Sequence, residues 1–318
     1  MKKLSRYLSI LILIGFFLVP VYVFLSGNTY ALVLFGRILV FALAALGLNL
    51  ALGFGGMISF GHAMYIGFGA YTAGIMSLYG LNNGWAQLLV MFAFTGVMAT
   101  LLGWVALRTR DIAFIMITLA FAQLFFFVFM GLEAYGGDDG MSLRSRSQFG
   151  FLSTNPYALY YSTAISMVLV YLFIGRVVNS RFGLVLRATR INEERVNAIG
   201  TSSLSYRLLA YVLSAQICAL AGFFYVNLTG FVSPAYMDWT VSGELIVMVL
   251  LGGMGTVFGP VVGAAALLLF EELLKSYTQH WPLVMGPAIL LMVVFLRKGL
   301  WGIFKTRSSN AAVTSEAS

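Results

Sequence analysis

Along nearly its whole length the chain reads as apolar runs of about 20 residues, each long enough to cross the roughly 30 Å hydrocarbon core of a bilayer, separated by short polar interruptions. Crossings are expected at about 8–25, 31–52, 56–79, 85–107, 112–132, 157–178, 207–229, 241–256, 259–275 and 283–297. The pattern predicts an all-α, polytopic integral membrane protein of about 8–10 transmembrane helices, the lower count applying if the glycine-broken runs 56–79 and 241–275 are re-entrant. Residues 1–30 form an N-terminal segment with the first transmembrane helix, read as retained because its apolar run is long and no small-x-small cleavage site follows. Residues 31–300 form one transmembrane domain with a cytoplasmic loop near 181–207, and 301–318 form a cytoplasmic tail.

Two apolar stretches are unusual in their glycine. GLNLALGFGGMISFGHAMYIGFGAY at 47–71 holds seven glycines in twenty-five residues, and GGMGTVFGPVVGAA at 252–265 adds Pro260, which cannot continue a helical ladder. Interrupted backbone at membrane depth is tolerated only where protein or water-filled space covers it, so both stretches are expected to face a helix bundle or a translocation path. Asn49, Ser59, His62 and Gln123 are polar groups in apolar runs, and with Gly252 and Gly253 they are the candidates for lining that path. For His62 the structural reading is preferred, because one interhelical hydrogen bond would satisfy it. Gly255, Gly259 and Gly263 repeat at four-residue spacing, which predicts a small-residue packing face on one helix.

Chemistry is not expected. Ser59 and His62 share a helix face, but no acid or oxyanion motif accompanies them. With two histidines, one cysteine and no ligand-type spacing, no metal site is expected, and no cofactor. Cys218, in an apolar run, reads as a small buried hydrophobe.

Composition and charge sharpen the class. Sixty per cent of residues are hydrophobic, nine per cent are charged and mean hydropathy is +0.93, which excludes a soluble domain. With both termini cytoplasmic, 15 of the 19 Lys and Arg fall inside and only Arg37, Arg144, Arg146 and Lys275 fall outside. The net charge of +8 thus sets orientation and does not imply nucleic acid as a partner. No G-x-x-x-x-G-K-[ST] loop occurs, so energy from ATP would have to come through another chain. An ion-coupled secondary transporter would carry intramembrane carboxylates, whereas Asp111, Glu133, Asp138, Asp139, Glu271 and Glu272 are read at ends and loops. The mixed-charge segment 133–151 is suited either to docking a partner from outside or to a solvated loop turning at Gly136 and Gly137.

The longest cytoplasmic segment, RFGLVLRATRINEERVNAIGTSSLSYR at 181–207, predicts one short helix between two loops. Asn192 caps its start, Glu193 and Glu194 oppose the helix dipole, and Gly200 supplies a left-handed end. A helix of about two turns is marginal alone, so it must pack on a partner or on the membrane surface. EERVNAIG at 193–200 resembles the cytoplasmic loop of bacterial ABC importer permeases, departing from it at Arg195, Val196 and Asn197. LGLNLALGFGGMISFGHAMYIGFGAY at 46–71, ITLAFAQLFFF at 117–127, RFGLVLRATRINEERVNAIG at 181–200 and VMVLLGGMGTVFGPVVGAA at 247–265 are similar to the LivM-like permeases of branched-chain amino acid importers, over about 30–298.

The resemblance implies a non-enzymatic subunit that translocates branched-chain or other hydrophobic amino acids across the bacterial inner membrane, with urea or aromatic acids as alternative substrates. It implies a second related permease subunit, identical or different, two cytoplasmic ATP-binding subunits, an extracytoplasmic solute-binding protein, and membrane lipid around the bundle. Asn192, Glu193, Glu194, Ala198 and Gly200 would then couple to the ATPase. Left-handed strain at Gly200→Val, on the order of 1 kcal/mol or more, is expected to exceed the dipole effect of Glu193→Lys, a few tenths to about 1 kcal/mol.

Overall fold

The computed structural model describes residues 2–27, 29–149, 155–295 and 299–302. Helices α1 (Lys2–Ser26), α2 (Thr29–Asn49), α3 (His62–Leu78), α4 (Gly84–Ala106), α5 (Asp111–Met130) and α6 (Pro156–Val178) are followed by two short ones, α7 (Arg181–Ile191) and α8 (Glu193–Ala198). Then come α9 (Ser203–Thr229), α10 (Trp239–Gly252), α11 (Gly259–Tyr277) and α12 (Trp281–Phe295). Six of these helices are long and apolar enough to cross a membrane, so the chain is a multi-pass, all-α membrane protein.

Ends are set by side chains that take up free backbone groups. Asn83 accepts from the Trp85 N–H at 3.1 Å to start α4, Asn155 from Tyr157 at 3.2 Å to start α6, and Asp238 from Thr240 at 2.8 Å to start α10. The segment 133–149 is tied down more firmly than a solvated loop would be. β1 (Met141–Ser142) pairs antiparallel with β2 (Phe231–Val232), Met141 opposite Val232. Farther along the loop, the Ser147 N–H donates to Asn227 at 2.8 Å and the Gln148 N–H to the Asn82 carbonyl at 2.7 Å. Arg144 remains exposed; residues 150–151 of this loop, the end of the last expected crossing at 296–297 and the tail from 303 lie outside the described residues.

The bundle is centred on α2 and α9, the most enclosed of the long helices, while α4 and α5 turn Leu89, Val97, Leu101, Ile112, Met116 and Phe127 outward. Lipid tails are as apolar as leucine, so helix contact rests on close packing. Between α3 and α9 the backbones touch. A Cβ on Gly69 would overlap the Ala219 carbonyl, and one on Gly222 would overlap the Ile66 carbonyl. The α10–α11 hairpin is built the same way, Gly263 lying on the Met248 carbonyl and Gly252 on the Gly259 carbonyl.

Several expectations need correction. Gly255 does not share a helical face with Gly259 and Gly263, because α10 stops at Gly252 and α11 starts at Gly259; Gly255 sits between them at φ +74°. The crossing expected at 56–79 is helical only from His62, and that expected at 241–256 only to Gly252. The cytoplasmic segment holds two helices, since 181–191 is itself helical. Nor do the carboxylates keep to ends and loops: Glu271 is buried between α11 and α2, with the Lys275 Nζ 2.6 Å from it and Arg37 at 3.4 Å, and Glu244 lies within α10.

Candidate functional site

The two glycine-rich interruptions meet at one end of the bundle. After Asn49, α2 widens into a π-helical turn, Leu50–Phe54, whose i→i+5 bond from the Gly55 N–H to the Leu50 carbonyl is 3.2 Å. The chain then runs non-helically to Gly61, and the free N–H groups of this run and of the first turn of α3 find side chains from neighbouring helices: Phe60 donates to Thr118 of α5 at 3.2 Å, and Ala63 to Ser242 of α10 at 2.9 Å. These bonds satisfy irregular backbone inside an apolar bundle.

Asn49, fully buried, joins the first interruption to the second. Its Nδ2 donates to the Thr256 carbonyl at 2.8 Å and its Oδ1 accepts from the Gly255 N–H at 3.2 Å. Gly53 allows this approach, because a Cβ there would meet the Gly255 nitrogen at 2.7 Å and the Asn49 amide itself. Gly253, at φ +115° and ψ 100°, occupies backbone space that suits only glycine, and Thr256 finishes the turn by donating to the Gly253 carbonyl at 2.7 Å and accepting from the Gly259 N–H at 3.1 Å. Asn49→Leu keeps the branched shape and removes both bonds. It leaves two backbone groups unpaired at about 1–3 kcal/mol each. The purified protein is expected to melt several degrees lower, and transport to fall with it; an unchanged melting temperature would refute the clamp.

From the same end, α7 reaches the clamp. Arg190 donates through Nη1 to the Gly53 carbonyl, and a Cβ on Gly56 would meet the Arg190 Cγ at 2.7 Å. The end carries Arg108, Arg110, Arg190 and Arg207, the basic excess that the positive-inside rule associates with a cytoplasmic face. A cavity of about 180 Å³ lies between the first interruption and the short helices, bordered by Gly56, Asp111, Arg190 and Glu193.

Helix α8 has one anchored side. Asn192 caps it by accepting from the Arg195 N–H at 2.9 Å. Glu193 accepts from the Ser203 hydroxyl at 2.8 Å and from Arg207 at 3.0 Å, with Arg110 at 3.4 Å. Val196 is buried beneath the helix, and the Asn197 side chain accepts from the Ser203 N–H at 3.1 Å to start α9. Glu194 and Ala198 face outward, and Gly200 ends the turn at φ +82° with open space where a Cβ would stand. The expected order of damage therefore reverses: Glu193→Lys sets a third cation between two arginines, whereas Gly200→Val meets only backbone strain.

Ser59 lies within the first interruption and His62 opens the helix that follows it. The His62 Nε2 is 2.8 Å from the Ser214 hydroxyl, which gives its own proton to the Gly47 carbonyl at 2.6 Å, so Nε2 must be the donor. His62 Nδ1 is buried without a partner. Tyr65 and Tyr211 enclose the ring edge-on, and Ser59, also buried, accepts from the Gly61 N–H at 3.2 Å. Gln123 stands apart on α5, its amide nitrogen buried and unbonded. Asn49, Gly252, Gly253 and Gly255 thus cluster, Ser59 and His62 are buried polar groups beside them, and Gln123 belongs to neither. The sequence reading missed Arg190, Thr118 and Ser242. A hydroxyl inside an apolar run opposite a glycine-rich break was the available signal for the last two. Among the described residues no group of three His, Cys, Asp or Glu is placed to hold a metal ion.

Long apolar helices, two of them interrupted at one end and held there by a short charged pair of helices, fit the architecture of a membrane transport permease. The chain belongs to the family described as the branched-chain amino acid transport system permease component, whose model matches residues 30–296. It is 26% identical over 287 residues to the high-affinity branched-chain amino acid transport system permease protein LivM of Escherichia coli K12, covering 82% of this chain and 68% of that one. It is 24% identical over 300 residues to LivH of the same strain, covering 87% and 92%. A probable LivM of Methanocaldococcus jannaschii is 36% identical over 138 residues, 42% of this chain and 39% of that one. No solved structure matches the chain.

Proposed function

We propose that the chain is one permease subunit of an ABC importer that carries branched-chain amino acids inward across the bacterial cytoplasmic membrane, without chemistry of its own. It pairs with a second related permease and works with two cytoplasmic ATP-binding subunits and an extracytoplasmic solute-binding protein. The observation that carries this reading is the two-sided character of α7 and α8. The inner side is bonded to the bundle through Glu193, Val196 and Arg190. The outer side leaves Ile191 85% and Ile199 79% exposed beside Glu194 and Ala198, an apolar tip suited to a groove on a partner.

A motion of that tip has a contiguous route inward. Tilting α7 withdraws Arg190 from the Gly53 carbonyl, which loosens the π-helical turn and, through Asn49, the turn at Gly253–Phe258. ATP binding on the partners would favour one arrangement of this joint, and solute-loaded binding protein, docking near Arg144 outside, would bias the same equilibrium, each altering the affinity for the other by the same factor, as linkage between two sites on a two-state element requires. The test is uptake of radiolabelled leucine into proteoliposomes holding the assembled transporter, its binding protein and internal ATP. ATP-dependent leucine uptake is expected, together with loss of the ATP-binding subunits on purification of Ile191→Asp/Ile199→Asp. No uptake of any branched-chain amino acid refutes the substrate, and full subunit retention in the double variant refutes the docking face.

A further inference from the structure

On the opposite, outer half of the bundle a second cavity, of about 200 Å³, lies between α2, α3, α9 and α10. This is the scale of a small solute and is below the roughly 300–1,000 Å³ of pockets for drug-sized ligands. Its walls include Val40, Ala44, Ile66 and Val241, and it carries two ionic side chains of opposite sign, Arg37 and Glu244. Both stand inside helices. Glu244 is five residues beyond Trp239, the first residue of α10, hence about 7 Å along the helix, and Arg37 is about 12 Å along α2.

Neither charge is fully used by the protein. Arg37 contacts Glu271 only at 3.4 Å, while Lys275 holds that same carboxylate oxygen at 2.6 Å. The Arg37 Nε is buried and has no acceptor. Glu244 is exposed at the mouth of the cavity and makes no hydrogen bond or ion pair among the described residues. An ionisable side chain left unpaired within an apolar helix is costly and marks a solute path. Hydrophobic packing explains the walls, aliphatic at Val40, Ala44, Ile66 and Val241 and aromatic at Phe41, Tyr225 and Tyr236, but it does not explain a guanidinium and a carboxylate placed among them.

We propose that this cavity receives the transported amino acid as its zwitterion, Arg37 binding the carboxylate, Glu244 the ammonium group, and Val40, Ala44, Ile66 and Val241 the aliphatic side chain. The proposal rests on the importer reading above and adds to it a binding site within the permease itself. A guanidinium suits the planar carboxylate because it offers two parallel N–H donors, and the carboxylate of Glu244 suits an ammonium because it only accepts. Recognition of the two head groups together would admit free amino acids and reject the corresponding acids and amines.

The test measures equilibrium binding of radiolabelled leucine to the purified complex of permeases and ATP-binding subunits without binding protein, in competition with 4-methylpentanoate, which lacks the ammonium group, and 3-methylbutylamine, which lacks the carboxylate. Wild type is expected to prefer leucine to both. Glu244→Gln should weaken leucine about tenfold or more, the scale of one lost charged hydrogen bond, while leaving 4-methylpentanoate unaffected. Arg37→Gln should act on leucine alike and spare the amine. Val241→Trp, which fills the cavity without touching a charge, should weaken all three. The site is refuted if Glu244→Gln binds leucine within about twofold of wild type, the scatter of a spectator residue. Equal loss of all three ligands in that variant, or no leucine binding by wild type, refutes it too. Leucine uptake by the wild-type transporter, measured alongside, separates the two readings: uptake that persists with an unaffected Glu244→Gln removes the cavity alone, and absent wild-type uptake removes the importer reading.

Discussion

Gly222→Val is expected to leave almost no assembled permease in the membrane. The Cβ would stand on the Ile66 carbonyl, and 3 residues along α3 the reciprocal contact of Gly69 with the Ala219 carbonyl blocks any slide that could make room. Both obstacles are backbone, so no rotamer change relieves them, and the helices must separate along their whole contact. Overpacking of this kind costs about 3 kcal/mol or more, a large part of the roughly 5–15 kcal/mol that holds a domain folded. Size-exclusion chromatography of a fluorescent fusion at matched expression reads the result. Gly15→Ala is the control: its Cβ meets nothing within 4 Å, so its profile should match wild type. A normal profile for Gly222→Val would show that α3 and α9 do not touch as described.

The second large effect is at Glu193. Its carboxylate, 18% exposed, takes bonds from Ser203 and Arg207 and an ion pair from Arg110. A lysine there removes the acceptor and leaves two arginines facing a third cation. Breaking a largely buried pair costs on the order of 3 kcal/mol. That loss falls on the α8 anchor and not on the bundle, so the complex should still purify while ATP-driven uptake falls about tenfold or more and ATP hydrolysis proceeds without transport. Gly200→Val should lose much less, since left-handed strain of about 1–2 kcal/mol is its only penalty. Equal uptake by Glu193→Lys and wild type would show that the anchored side of α8 carries no force. Arg110→Glu in the Glu193→Lys background should restore part of the uptake by rebuilding the ion pair with reversed signs.

Much of the architecture was legible in the chain because lipid imposes one rule, that each crossing be an apolar helix, and the runs at 85–107, 112–132 and 157–178 fall within two residues of α4, α5 and α6. The capped start at Asn192 was equally plain, because capping is a local matter between one side chain and the next turn. Contacts across the bundle were not. Asn49 and Gly255 are 206 residues apart, and spacing on one run suggested a single glycine face where the structure has a turn between two helices. The partners of Glu193 come from two other elements, so its weight could not be read from its place in the first helical turn. Arg37 and Glu244 were visible as charges inside expected crossings, but counting charges by side of the membrane hid their meeting.

The ion pair between Arg37 and Glu271 spans 234 residues of sequence. At a synthesis rate of about 5–20 residues per second, α2 enters the bilayer roughly 10 to 50 seconds before the carboxylate with which Arg37 pairs has been made. During that interval Arg37 has only its flexible stem with which to reach the aqueous boundary, so α2 must first lodge shallow or tilted and sink to its final position when α11 arrives. The nascent chain is therefore open along its central helix until its last quarter is translated, and that is the stage at which a membrane insertase or a quality-control protease would find it.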